Sequence, residues 1–133
     1  MDCVGVVRYL VTHRLAGNVV PILAIYDYYV RGLSPSEIGH LYGVSKYAVR
    51  GYIQRARCSG VEELLKEVVP KVLRIDSIML KINGLYYCML CDGKPLTTLN
   101  EALAHIKYKH RPLINELVRV VLDGVKSHHV QAR

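Results

Sequence analysis

Four residues in the C-terminal half of this 133-residue chain have types and spacing suited to metal chemistry. Cys88 and Cys91 form a C-x2-C pair. His105 and His110 form an H-x4-H pair, with thirteen residues between Cys91 and His105. Two cysteines on a hairpin turn can converge their thiolates on one side, and two histidines about one helical turn apart lie on one helix face. Zn²⁺ prefers four nitrogen or sulfur ligands at tetrahedral angles, and this set supplies four with no position left open. A closed site implies a structural metal, not a catalytic one. The sequence offers no acid pair, nucleophile–base set or phosphate-cradling glycine loop, so an enzyme is not expected.

A second constellation lies upstream, in LSPSEIGHLYGVSKYAVRGYIQRAR, residues 33–57. Ser34 suits a helix N-cap, Pro35 the first helical position, and Glu37 completes a capping box with Ser34. Ile38 and Leu41 are expected to face inward, and Gly39 to let a second helix approach closely. Gly43 supplies a sharp turn where the backbone takes φ > 0. Ser45 then caps a second helix with apolar positions at Ala48, Val49, Tyr52 and Ile53. Its remaining face carries Ser45, Lys46, Tyr47, Arg50, Gly51 and Gln54, without an acid. Any helical hairpin needs the same apolar pattern, so packing alone is the competing explanation.

The stretch resembles a helix-turn-helix motif, whose apolar places fall on Ile38, Tyr42, Val44, Val49 and Tyr52. The resemblance is to regulators of archaeal or viral type. It implies that Ser45, Lys46, Tyr47, Arg50 and Gln54 face the major groove of double-stranded DNA, where Arg can read guanine and Gln adenine. Arg55 and Arg57 would contact phosphates. Because such motifs bind paired half-sites, a homodimer is also expected.

Residues 81–111 in turn resemble a C2H2 zinc finger, with Cys88, Cys91, His105 and His110 as the Zn²⁺ ligands. Tyr86 stands where that family has an aromatic core residue, and Leu96 in the place of its second large apolar residue. Thr97 or Thr98 can cap the finger helix. The Cys91–His105 gap is one residue longer than the commonest spacing, and Ala102 stands where a leucine is usual, with Leu99 and Leu103 able to compensate. The base-reading places would map to Thr98, Glu101 and Ala104, a poor reading set. A structural or protein-binding finger is therefore expected, with Lys107, Lys109 and Arg111 available to phosphates.

Composition agrees with a folded, basic protein. Apolar residues make up 51% of the chain, ample for a core, and the formal net charge is +7. Residues 1–60 carry +4, residues 61–80 carry −1 and residues 81–133 carry +4. Two basic ends favour a polyanionic partner, although basic surfaces also serve solubility. With no targeting segment, no long uncharged run and one CxxC, a cytoplasmic location is expected and a disulfide framework is not. Cys3 and Cys58 read as isolated small residues. Ten tyrosines, no Phe or Trp and few amides lean toward a thermophilic source.

The remaining elements must position these sites. Val4, Val7, Leu10 (or Val11) and Leu15 have helical spacing, and Pro21 opens a second helix with Ile22, Ile25 and Tyr29 on one face. That second helix is the natural support for the helix pair. Ser59 to Glu62 has the form of a capping box, starting a helical connector with Val61, Leu64, Leu65, Val68 and Val69 on one side. Pro70 either kinks or ends it, and a continuation to about Leu80 keeps the stripe through Met79. Pro112 starts a last helix striped by Leu113, Leu117, Val120, Val121 and Val125, which could pack on the connector or on a second copy. His128 and His129 near its end are expected to be solvated.

The expected fold is mainly α. It comprises a helix-turn-helix helical domain (1–58), a helical connector (59–80), a small ββα zinc finger (81–111) and a C-terminal helix (112–133). The expected function is sequence-specific double-stranded DNA binding by a transcriptional regulator. The alternatives are a zinc-stabilised protein-interaction adaptor, or an architectural or RNA-binding factor without sequence preference.

Overall fold

In the computed structural model, which describes residues 2–126, Asp2 accepts a hydrogen bond from the Gly5 amide at 2.7 Å and starts helix α1 (Cys3–Leu15). Six more helices and one hairpin follow among the described residues: α2 (Val20–Tyr29), α3 (Pro35–Tyr42), α4 (Lys46–Gln54), α5 (Val61–Leu73), β1 (Met79–Ile82), β2 (Leu85–Cys88), α6 (Leu99–Lys109) and α7 (Arg111–Leu122). The protein is thus mainly helical with a small two-stranded sheet. His128 and His129 lie outside the described residues.

Helix α1 is the hub. Val6, Val7, Leu10 and Val11 have no exposed surface, and α2, α5, α6 and α7 all pack against it. One continuous core therefore joins α1 to Leu64, Leu65 and Val68 of α5, Ala102 and Ile106 of α6, and Ile114, Val118 and Val121 of α7. Fully burying one such aliphatic side chain contributes about 1.5–3 kcal/mol, so these contacts fix the placement of α6. A smaller cluster of Ala24, Ile38, Val49 and Ile53 holds α2, α3 and α4 together.

Several expectations change on folding. The capping box at Ser59 does not form: Gly60, at φ 74°, is the N-cap, with no side chain bonding the first turn. Helix α5 passes through Pro70 but ends at Leu73 instead of continuing to Leu80. The end of α1 captures the chain there. Arg14 Nε donates to Ile75 O at 2.7 Å, and the Ile78 amide and Ser77 hydroxyl both donate to Leu15 O at 2.9 Å. Met79 to Ile82 then pairs antiparallel with Leu85 to Cys88, which replaces the hydrogen bonds a longer helix would have made. Asn83 and Gly84 make the turn at φ 52° and 80°, the signs that a two-residue hairpin turn of type I′ requires.

Leu41 points outward, 56% exposed, because Tyr42 rather than Leu41 stands one turn after Ile38 on the inner face. Val120 is likewise 52% exposed, since the buried stripe of α7 runs through Ile114, Val118 and Val121. This stripe is covered by α1 and α5 of the same chain. Cys3 and Cys58 are not isolated: they form a disulfide across 55 residues, tying the start of α1 to the chain just beyond α4. Neither cysteine has a partner near it in sequence, and only the packing of α1 beside that segment brings their Cα atoms to 5.3 Å. Among the described residues no helix is long and apolar enough to cross a membrane.

Candidate functional site

The hairpin and α6 bring together all four residues singled out by spacing. Cys88 ends β2, Cys91 follows in the turn, His105 lies within α6 and His110 caps its C-terminus. Tyr86 and Leu96 exchange two backbone hydrogen bonds of 2.8 Å, which folds the loop after Cys91 back along the hairpin. Thr98 caps α6 by accepting from the Glu101 amide at 3.1 Å, and Thr97 donates twice to the Glu101 carboxylate. Glu101 is thus engaged in capping. Ala102 is fully buried in the core shared with α1, which explains a small side chain at that place.

The four ligand atoms all lie within 4.8 Å of one another. Nε2 of His110 is 3.4 Å from both the Cys88 and Cys91 sulfurs. Tetrahedral coordination at usual Zn–N and Zn–S lengths puts nitrogen and sulfur ligands about 3.6 Å apart. Nε2 of His105 is buried and has no hydrogen-bond partner, an arrangement that costs free energy unless something coordinates it. Desolvation, then the neighbouring Cys88, raises the Cys91 thiol pKa, while burial and the charges of His105 and Lys109 lower that of His110. A cation would favour the thiolate, and the neutral imidazole is already the ligating form. The donor set fits a metal ion.

The second site is α4 and what holds it. Ser34 and Glu37 form the full capping box, Gly43 takes φ 71°, and Ser45 Oγ accepts from the Ala48 amide at 3.0 Å. Gly39 is required by contact: a Cβ there would sit 2.6 Å from the Val44 carbonyl oxygen. Helix α2 braces the pair through packing and through Asp27, which is 4% exposed. Asp27 accepts from the Tyr42 hydroxyl, and from Arg31 at 3.1 Å. Desolvation and this carboxylate push the Tyr42 hydroxyl up to about 12. Ser45, Lys46, Tyr47, Arg50, Gln54, Arg55 and Arg57 are all exposed. Lys46 and Arg50 lie over the Tyr47 ring, at 5.5 and 5.6 Å from its centre, so three of these side chains form one cation–π group.

Compared with protein-family models, curated proteins and solved structures, the chain matches none. Its own geometry therefore carries the functional argument.

One feature joins the two sites and is not apparent from either motif. A groove of about 1300 Å³ runs between α4 and α6, floored by α1 and α7. Arg8, Arg55, Lys107 and Arg111 line it, and among the described residues no carboxylate does. The available sequence signal was the face of α6 bearing Asn100, Ala104, Lys107 and Tyr108, which carries no acid. That this face looks toward α4 depends on α1 packing against α6.

His13 also lines this groove, and it predicts a pH effect. Burial, then Lys107 and Arg55, push its imidazole down to about 4, and the neutral ring accepts from Asn18 Nδ2 at 3.1 Å. An unfolded chain protonates this histidine near 6.5, so as pH falls the unfolded state takes up the proton first. The stability contributed by neutral His13 is complete above pH 6.5 and lost as pH falls to about 4, at most ~3 kcal/mol. Urea unfolding of His13→Gln should therefore show a shallower loss of stability between pH 7 and 4.5 than the parent chain. Parallel curves would refute the assignment.

Proposed function

We propose that this chain is a sequence-specific double-stranded DNA-binding protein of the transcription-regulator kind. In this reading α3 and α4 act as a helix-turn-helix, and Cys88, Cys91, His105 and His110 hold a structural Zn²⁺. The observation that carries the first part is the exposed face of α4. It combines Lys46, Tyr47, Arg50 and Gln54 with no acid, on a helix held at a fixed angle by Gly39 and by α2. A major groove admits such a helix, and Arg and Gln can pair bidentately with guanine and adenine. For the metal, two nitrogens and two sulfurs in a closed set favour zinc over harder cations.

Selection of bound duplexes from a random pool tests this directly. A consensus is expected, and Arg50→Ala should weaken binding to it by ~1–3 kcal/mol while relaxing preference at one position. An unchanged affinity and consensus would remove Arg50 from the reading set. Enrichment without any consensus would instead support an architectural or RNA-type binder. A homodimer on paired half-sites belongs to this proposal through the habit of the motif, because the apolar stripes of α5 and α7 are buried within their own chain. A monomeric mass on DNA would remove it.

One observation favours a second reading, a zinc-stabilised protein-interaction adaptor. Leu80, Ile82, Tyr87, Met89 and Leu90 are all exposed on the hairpin and the turn that follows it. Several large apolar side chains exposed on one small unit are a common mark of protein contact. Lack of DNA binding at any salt concentration would favour the adaptor, since phosphate binding strengthens as salt falls.

A further inference from the structure

If α4 reads base edges, the nearest phosphate backbone must lie against whatever flanks that helix. On one side the flank is the groove shared with α6. Its four cations come from three stretches distant in sequence: Arg8 on α1, Arg55 after α4, and Lys107 and Arg111 at the end of α6 and start of α7. Arg8 is held in place by donating to Asn115 Oδ1 at 2.5 Å. Among the described residues no carboxylate lines the groove to offset these charges.

The size of the groove argues for a polymer. Small-molecule pockets run from ~300 to 1,000 Å³ and enclose most of their ligand. This one is larger, and on the α6 side its lining extends from Leu99 to Tyr108. Ten helical residues span about 15 Å, the rise of about four nucleotides in one B-form strand. The middle of the α4 wall is Gly51, where an added Cβ would meet nothing within 4 Å. A glycine inside a helix costs about 1 kcal/mol relative to alanine, and no packing among the described residues requires this one. Close approach of a ligand to the α4 backbone would require it. After burial, the charges of Lys107 and Arg55 lower the pKa of His13, which lines the same groove.

We propose that the groove between α4 and α6 holds one phosphate backbone of the bound duplex, with Arg8 and Arg111 on its floor and Lys107 on its α6 wall as the cations that grip it. This inference rests on the DNA-binding reading of α4. It gives the metal-bearing unit a role on DNA that its base-reading places do not: through Lys107 and Arg111 it grips, without specifying sequence.

The test measures duplex affinity against salt for the full zinc-loaded chain and for Lys107→Gln/Arg111→Gln. The double variant should bind the selected and a scrambled duplex more weakly by the same factor, roughly 10–100-fold near 0.15 M salt. Its log–log salt slope should be smaller in magnitude by about 1.8, since each lost phosphate contact removes about 0.9. The control is Lys66→Gln/Arg119→Gln, which removes two charges away from the groove and should leave the slope unchanged. If the parent chain binds duplex but the groove variant keeps its affinity and slope, the groove assignment is wrong while the α4 reading stands. If the control variant loses as much slope as the groove variant, the effect is general charge, and the assignment is again wrong. If a single strand of the selected sequence competes as well as duplex, the groove holds a free strand and the proposal is overturned. If the parent chain binds no DNA, both readings fall together.

Discussion

If the Cys88, Cys91, His105 and His110 cluster holds the proposed Zn²⁺, stripping it should unfold the hairpin and release it from α6, lowering stability by several kcal/mol. The reason is how little else holds that unit. Its sheet has two strands of four residues, and a lone hairpin is marginal in water. Leu80, Ile82, Tyr87, Met89 and Leu90 are exposed, so the hairpin contributes few side chains to a core. Against this, structural zinc sites in finger peptides bind with about 10–16 kcal/mol of apparent free energy at neutral pH. Part of that will not appear as lost stability here, because Ala102 and Ile106 keep α6 in the core around α1. Cys88→Ser and His105→Ala should each abolish stoichiometric zinc binding and lower the melting temperature, and a chelator should do the same to the parent chain. If chelation left the melting temperature unchanged, the cluster would not be a structural metal site. Acidification should release the metal as well, since protons compete for the thiolates and neutral imidazoles that ligate it.

Gly39→Val should be the most damaging single substitution at the α3–α4 turn. The added Cβ alone would lie 2.6 Å from the Val44 carbonyl oxygen and 3.3 Å from the Lys46 nitrogen. Both are backbone atoms, so no rotamer change relieves the contact, and α4 must move away from α3. Overpacking of this kind costs about 1–3 kcal/mol. A shift of α4 also opens the cluster of Ile38, Val49 and Ile53, and any DNA affinity should fall further than the stability loss alone requires. Gly51→Ala is the contrast. It meets nothing within 4 Å and should stabilise the chain by about 0.5–1 kcal/mol while weakening DNA binding through the groove. Chemical denaturation of the two variants beside the parent measures both signs. Equal stability of Gly39→Val and the parent would refute the close approach.

How much of this was legible in the residues depends on the range of the interaction. The Ser34–Glu37 capping box, the turn at Gly43, the Ser45 cap and the ββα order around Cys88 and His105 each depend on residues within a few positions of one another. Spacing alone specifies them, because helix and hairpin geometry fixes which neighbours meet. The same local logic failed at Ser59, where Gly60 in a left-handed conformation displaced the expected cap. It failed again beyond Leu73, where carbonyls at the end of α1 compete for the chain.

The four metal-ligand candidates and the acid-free face of α4 were therefore determined by the sequence itself. Only the tertiary structure decided that Cys3 meets Cys58, that Ala102 must be small, that Leu41 and Val120 face outward, and that α6 looks across a basic groove at α4. Each of these depends on how helices pack around α1. Burial is non-directional, and an apolar stripe shows that a helix must be covered without showing by what. The cover fixes which polar faces come together, and with them the surface available to a partner.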